Sequence, residues 1–454
     1  MSSFHNASSS ELMYCRFTEQ TVRFVDLFCG IGGFHSALSQ LGHECVFACD
    51  ADKDAASVYE RNYGIPAHND IRNCNNLPEF EILCAGFPCQ PFSKSGTQEG
   101  FMDETRGTLF HEIMRIVRES NPKILFLENV PNLKSHDGGN TYQVIKQTIE
   151  QEGYRFWSTI LSPHEFGTPQ IRKRLFMVAM RNEICQDEEF NFPSGSNEQT
   201  NVKSILDKKS AVAKKYHLSE EEVGILDTWN YFIQNIEPSV IPSSPTWSQE
   251  YNRNYPLDGI HPITKPWRVP VYRLKDILEN EGIQPTGSRL RKEVVKQFPP
   301  YIVSAKKPLP EWKKRFITNN RKTWESISDD IGVEWLRKVR SFKETYQKFE
   351  WQVGDEKRDI WKHMIQFRPS GIRVKRSNYI PALVAIAQIP IVGWQKRRMT
   401  PKECARAQDF DVDGTKGAGF ILASSDAVAY KQLGNAVNVK LTRIIMQEIE
   451  NYIG

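Results

Sequence analysis

From residue 22 to about 180, short apolar runs alternate with longer segments whose apolar positions recur every three to four residues. This is the pattern of a mostly parallel sheet with helices on its faces, an α/β fold. The runs predict strands over 22–27, 44–49, 82–85, 124–128, 154–161 and 175–180, and the amphipathic segments predict helices over 34–40, 55–63, 109–119 and 142–152. Only 162–174 separates the last two runs, with no helix between them, so they are expected to close the sheet as an antiparallel pair. Between about 186 and 395 the pattern breaks into short pieces, punctuated by Pro and rich in Trp, with no repeat period. A second, smaller domain of irregular structure is expected there. A helical period resumes from Tyr430 through Val437, Leu441, Ile444, Ile445 and Ile449, and this tail is expected to pack back on the first domain.

Composition narrows the class. The 454 residues suit two or three domains at roughly 150 residues each, and a hydrophobic content of 39% with 25% charged residues is that of a folded chain. Nine Cys in an odd set without a C-x-x-C pair argue against structural zinc and against a disulfide framework. The Ser-rich start reads as neither signal peptide nor anchor, and no run approaches the ~20 apolar residues of a membrane span. A reducing, aqueous compartment is therefore expected, cytoplasm or nucleus. The net charge of +4 conceals a division, because 195–400 carries 36 Lys/Arg against 23 Asp/Glu, a net of +13, and the remainder carries −9. A segment that basic either attracts a polyanion or is a solvated lysine-rich surface.

Four sites carry candidate chemistry. Asp26-Leu27-Phe28-Cys29-Gly30-Ile31-Gly32-Gly33-Phe34 is a glycine-rich turn between a strand and a helix, and Asp50 ends the next strand, 20 residues after Gly30. That order suits a nucleoside cofactor, with glycines admitting close backbone approach and a carboxylate accepting from ribose hydroxyls. The alternative is a tight turn linking core elements, with Asp50 capping a helix. Asp70-Ile71 follows in the same crevice. Gly86-Phe87-Pro88-Cys89-Gln90-Pro91-Phe92-Ser93 places a Cys between two prolines at a strand's carboxyl end, where open α/β sheets bind ligands. Free cysteines are more often inert and buried, and this context favours a nucleophile. Glu128, at the end of another apolar strand, either holds a proton on a ring nitrogen through a raised pKa or faces solvent. Arg172 and Arg174, two residues apart in an extended segment, share one face and can reach acceptor oxygens together, or form a solvated basic edge.

With these sites in this order the sequence resembles the DNA (cytosine-5) methyltransferases, in particular those of bacterial restriction-modification systems. Further matches are Arg398-Met399-Thr400-Pro401-Lys402-Glu403-Cys404-Ala405-Arg406 and Gln432-Leu433-Gly434-Asn435-Ala436-Val437, and the resemblance covers about 21–181 and 397–454. It implies a Rossmann-like catalytic domain that binds S-adenosylmethionine over 21–185, after a polar lead over 1–20. It also implies a target-recognition domain over 186–396, a ninth-motif segment of that domain over 397–429, and a C-terminal helix over 430–454. Carried over by position, the cofactor is expected near Phe28, Gly30, Ile31 and Gly32, its ribose on Asp50 and its adenine near Asp70 and Ile71, with Leu109, Asn435 and Ala436 completing the pocket. Ala51 stands where relatives carry an aromatic ring.

By the same resemblance Cys89 is the nucleophile that adds to carbon 6 of a flipped cytosine, Glu128 binds the base at N3, and Arg174 and Arg172 support the site. The segment 93–107 matches the loop that closes over DNA, which makes Ser93, Ser95 and Gln98 candidate DNA contacts. In the basic region Arg289, Arg291, Lys292, Arg373 and Arg376 are candidates. The resemblance implies duplex DNA as substrate, a cognate restriction endonuclease as functional partner, a monomer in a bacterial cytoplasm, no membrane and no metal. The same chemistry on tRNA, and a silent homologue that binds or regulates, are the alternatives. The large middle segment and Gly86-Phe87 before Pro88 argue against the first, and intact Cys89, Glu128, Arg172 and Arg174 against the second.

Overall fold

The computed structural model describes residues 21–88, 109–196, 199–241, 245–258, 270–280, 298–305, 307–383, 388–415 and 417–453. They form two compact units. The first comprises Met1–Val212, Asn378–Ala387 and Met399–Gly454, and the second comprises Ala213–Ser377 and Gln388–Arg398.

In the first unit the apolar runs become β1 (Arg23–Leu27), β2 (Glu44–Cys49), β3 (Ile82–Ala85), β4 (Ile124–Asn129), β5 (Tyr154–Leu161), the short β6 (Gln170–Ile171) and β7 (Arg174–Arg181). Between them lie α1 (Gly33–Ser39), α2 (Lys53–Tyr63), α3 (Leu109–Ser120) and α4 (Asn140–Gln151). The sheet order is β2-β1-β3-β4-β7-β5, parallel from β2 to β4. β5 and β7 are antiparallel as expected, and β7 inserts between β5 and β4, antiparallel to both. The chain leaves β1 toward β2 on one side and returns to β3 on the other, so the order reverses at β1. A crevice opens there beyond the carboxyl ends of the strands. Every motif named above that follows β1, β2, β3 or β4 begins at that edge.

The central strands are buried on both faces, which is why they read as unbroken apolar runs. Val25, Leu27, Leu83, Leu125 and Leu127 pack with Ile113, Ile116 and Val117 of α3 and Ile145 and Ile149 of α4. At about 1.5–3 kcal/mol for each fully buried large apolar side chain, this layer outweighs any single polar contact in the unit. Asp26 interrupts the pattern, with no exposed surface inside β1. Burial pushes its carboxyl well above the usual carboxylate range, offset only in part by the backbone N–H of His35 in the first turn of α1.

The second unit holds α5 (Glu220–Asn235), α6 (Val271–Asn280) and α7 (Glu311–Arg340). Its sheet is built from β8 (Thr246–Trp247), β9 (Lys348–Gln352), β10 (Met364–Arg368), β11 (Gly371–Lys375), β13 (Ile391–Val392) and β14 (Arg397–Arg398), in the order β14-β13-β10-β11-β9-β8. The strand β12 (Ile380–Pro381) pairs with β6 inside the first unit. Regular structure thus replaces the irregular domain expected from the middle segment. The helical signal was present in α7, whose buried Ile317, Asn320, Trp324, Ile327, Ile331, Trp335 and Val339 recur at three- and four-residue steps. Gly332, at φ 78, breaks the helix within that run and masks its period. Trp229 of α5 stacks on Phe349 at 4.8 Å and meets Trp335 edge-on at 5.3 Å, so the tryptophans form a core.

The chain then returns to the first unit through α8 (Pro401–Arg406), α9 (Asp426–Asn435) and α10 (Val439–Ile453). The segment 397–429, expected to accompany the recognition domain, therefore packs from Met399 onward within the first unit. Its polar side chains explain this. Glu403 accepts from the backbone of Asp207 at 2.7 Å, Arg406 pairs with Asp207 at 2.9 Å, and Asp409 accepts from Thr168 and Asn438 at 2.8 Å. The C-terminal helix packs on α1, and just before it a Cβ on Gly33 would stand 2.5 Å from the carbonyl oxygen of Val437. Among the described residues no helix is long and apolar enough to cross a membrane.

Because its folded pKa is raised, Asp26 contributes stability that is complete at acid pH and is lost as pH rises through the raised value. Asp26→Asn has no charge to bury, so its melting temperature is expected to fall less than that of the wild type between acid and alkaline pH and to lie a few degrees higher at the alkaline end. Thermal unfolding across pH checks this, and parallel curves would refute it.

Candidate active site

Three of the five residues after β1 adopt left-handed backbone, Phe28 at φ 54, Gly30 at φ 55 and Gly32 at φ 87. The chain coils tightly as it leaves the strand. A Cβ on Gly30 would meet nothing within 4 Å, and one on Gly32 would lie 2.2 Å from the ring of Tyr63. Gly30 is therefore open to a ligand, whereas Gly32 is glycine because α2 packs against it. Asp50 fastens the coil, accepting from the Gly30 N–H through Oδ2 and from the Asp52 N–H through Oδ1, each at 2.8 Å. Burial raises the Asp50 carboxyl against the pull of those two amides. The helix cap is Asp52, which accepts from Asp54 and Ala55 and also takes the ammonium of Lys431 at 2.7 Å. Further along, Asp70 caps the turn Ile71–Asn73, and its bonds with Arg72 hold its carboxyl at about 2.

Two more strands complete the edge. Beyond β3 run Gly86, Phe87 and Pro88, and Asn129 at the end of β4 donates its Nδ2 to the Phe87 carbonyl at 2.9 Å, tying the two strand ends together. Glu128 is 7% exposed, with Arg174 Nε at 2.8 Å from its Oε1. Burial raises the Glu128 carboxyl, and Arg174 and then Arg172 oppose it without cancelling it. The carboxyl is thus poised to hold a proton at higher pH than an ordinary glutamate. Arg172 is 2% exposed and donates to the carbonyls of Leu383, Gly434 and Ala436, each at 2.9 Å. Burial first, and Arg174 second, pull it down to about 9.

These groups share one cleft of about 810 Å³. Phe28, Gly30, Ile31, Asp50, Asp70, Ile71, Leu109 and Asn435 line it, as do Glu128, Arg172 and Arg174. Ala51 lines it too, without offering a ring. Gly32 and Ala436 stand behind the wall, one shaping the start of α1 and the other presenting a carbonyl to Arg172. Pro88 reaches the cleft; Cys89, Ser93, Ser95 and Gln98 lie outside the described residues, as do Arg289, Arg291 and Lys292. Arg373 and Arg376 belong to the second unit. Sequence reasoning passed over Asn129, which its place inside Glu128-Asn129-Val130 could have signalled, and Lys431, for which nothing near residue 431 points to Asp52.

Arg172 acts here as an anchor. Arg172→Lys keeps the charge but replaces a planar fork with a single nitrogen, which cannot occupy both places from which Nη1 meets Leu383 and Nη2 meets Gly434 and Ala436. It is expected to cost about 2 kcal/mol or more of folding stability and to weaken cofactor binding through the Gly434–Ala436 segment. Urea unfolding and a cofactor titration check both effects; wild-type values in each would contradict the anchoring role.

Comparison with known proteins agrees with this geometry. The sequence model described as C-5 cytosine-specific DNA methylase matches residues 22–255 and 272–451. The chain is 34% identical to the Type II methyltransferase M.AluI of Cellulosimicrobium cellulans over 94% of its own length and 91% of that protein. It is 28% identical to the Type II methyltransferase M.BanI of Aneurinibacillus aneurinilyticus, covering 94% and 95% of the two chains. Identity rises to 48% with the Type II methyltransferase M.HhaI of Haemophilus parahaemolyticus, over 41% of this chain and 57% of that one. A cleft that gathers the ends of β1 to β4, in a chain matched along nearly its whole length, identifies it as a member of the C-5 cytosine-specific DNA methylase family, the DNA cytosine-5 methyltransferases.

Proposed function

We propose that the enzyme methylates carbon 5 of a specific cytosine flipped out of duplex DNA, and that it serves a type II restriction-modification system by protecting DNA from a cognate endonuclease. The observation that carries this reading is the buried Glu128–Arg174 pair beside the Gly86–Pro88 segment, in the same cleft as the Asp50–Gly30 pair. S-adenosylmethionine fits the residues present. Gly30 faces open space, Asp50 is already oriented by two amides, and Phe28, Ile31, Ile71 and Leu109 supply apolar walls. When bound, this cofactor supplies an electrophilic methyl group on a sulfonium.

The chain's own residues supply the rest. Cys89 follows Pro88, and addition of its thiolate to carbon 6 turns a poor nucleophile into an electron-rich ring that can take the methyl group at carbon 5. Glu128, whose carboxyl burial raises, holds a proton at N3 and stabilises the charge that develops on the ring. Arg174 keeps the Glu128 carboxyl oriented, and Asn129 fixes the backbone that leads to Cys89. Transfer of the carbon 5 proton to water then lets the thiolate depart with its electron pair and restores the ring. Flipping costs a few kcal/mol in lost stacking, which contacts with the extruded base offset. A bacterial cytoplasm and a monomeric enzyme complete the proposal, with the endonuclease as a functional partner.

Labelled S-adenosylmethionine offered with duplex DNA or with tRNA tests the substrate: label is expected in DNA, and label in tRNA alone would overturn the reading. Cys89→Ser is expected to abolish transfer while DNA binding persists, and turnover by that variant would remove Cys89 as nucleophile. Glu128→Gln is expected to lower kcat by about 10²-fold or more with little change in the KM for cofactor. In the wild type, transfer is expected to fall as pH rises through the raised Glu128 pKa, because the protonated form is the active one. A pH profile with no fall anywhere above the ordinary glutamate range would assign the proton elsewhere.

A further inference from the structure

The register of β9, β10 and β11 arranges the polar face of the second unit's sheet as a grid. Phe349, Trp351, Ile365, Ile372 and Val374 point into the core, so the alternate positions share the opposite face. There Gln366 stands opposite Arg373, and Arg373 opposite Glu350. Arg368 pairs with Gly371, and Lys375 with Gln352. With Lys348, two residues before Glu350, this small area holds four cations and a single carboxylate. Gly371 has φ 125, and a Cβ there would lie 2.7 Å from the Cβ of Lys348, so the hairpin tip packs against β9 with no room for a side chain.

The carboxylate organises the cations. Glu350 Oε2 takes Arg373 Nε at 2.8 Å and Arg368 Nη2 at 2.5 Å, and its Oε1 accepts from Gln352. Burial would raise the Glu350 carboxyl, and Arg373 and Arg368 overcome that and hold it below the ordinary range. Lys375 and Arg368 are both pulled down, by burial first and by repulsion from Arg373 second. A solvated lysine-rich surface would let such charges spread apart. Here they are crowded and half-buried around Glu350, and the repulsion among them would be relieved by an added anion. Arg373 binds Glu350 through Nε and its side chain keeps 26% of its surface exposed, so the edge formed by its two terminal nitrogens is the one it can offer a ligand. That edge matches the paired O6 and N7 acceptors of guanine.

We propose that this sheet face reads duplex DNA, with Arg373 as a base-reading side chain buttressed by Glu350 and the neighbouring cations set against phosphates. The proposal rests on the duplex-DNA reading above and assigns its sequence selectivity to named residues.

The full-length protein tests it, with unmethylated plasmid duplex as probe and three readouts: DNA affinity against salt, cofactor affinity, and the methylated sites mapped by bisulfite sequencing. Arg373→Ala is expected to weaken DNA binding roughly 10- to 100-fold and to relax the methylated sequence at one position, with cofactor affinity unchanged. Arg373→Lys and Glu350→Gln are expected to retain affinity within a few-fold but to broaden the set of methylated sequences. Thermal unfolding reports folding, and if Arg373→Ala unfolds, the two conservative variants decide the outcome. Uniform weakening with an unchanged set of sites overturns base reading by Arg373, and variants with wild-type affinity and wild-type sites overturn the surface as a whole. A wild type that methylates plasmid DNA while these variants match it sinks this inference alone. A wild type that neither binds nor methylates duplex DNA sinks the proposed function with it.

Discussion

A guanidinium almost wholly withdrawn from water must place most of its donors on the chain around it, and the first unit is arranged around one such group. Arg172 reaches the carbonyls of Leu383, Gly434 and Ala436 while its own backbone N–H donates to Ser162. Segments more than 200 residues apart are thereby held against the strand that carries Arg174. Leaving any of those carbonyls unpaired in the interior would cost about 1–3 kcal/mol. The arrangement is therefore cooperative: the cofactor wall contributed by Asn435 and the reacting side contributed by Glu128 depend on the same buried side chain.

The same economy of burial sets the acid chemistry of the cleft. A parallel sheet covered on both faces delivers its strand ends into a poorly solvated edge, so a carboxyl there resists ionisation. Asp50 and Glu128 are both raised for this reason, yet their partners differ. Two backbone amides steady Asp50 as an acceptor, suited to hydroxyls. Glu128 has a guanidinium at 2.8 Å and a second one close by, which orients it without removing the effect of burial. Asp70, exposed and bound to Arg72, stays fully ionised at the mouth of the same cleft. One fold thus supplies carboxyls with different protonation behaviour through environment alone.

Most of the first unit was legible because its signals are local. Strands buried on both faces must be apolar throughout, and a left-handed turn such as that at Gly30 leaves glycines in the sequence. The place of Asp50 at the end of β2 follows from spacing along one βαβ unit. The insertion of β7 between β4 and β5 was not legible, because pairing partners are set by which edges meet and not by either strand's own residues. The second unit was largely illegible. Gly332 divides the period of α7, and its sheet has strands of only two to five residues, shorter than the windows over which alternation can be counted.

What the linear chain determined by itself is the order of the chemistry: a glycine turn, an acid, a cysteine between prolines, a glutamate, and an arginine pair, each at the end of a strand whose apolar run announces it. Those features are encoded by backbone geometry and neighbours within a few residues. Tertiary structure alone decided which of them share a cleft and which stand behind it, that Arg172 anchors the C-terminal segment, that Lys431 meets Asp52, and that Glu350 gathers Arg368 and Arg373 on one sheet face. The physical reason is distance along the chain. Burial, charge pairing and strand register join residues separated by tens to hundreds of positions, and no local window records which distant donor will meet which acceptor.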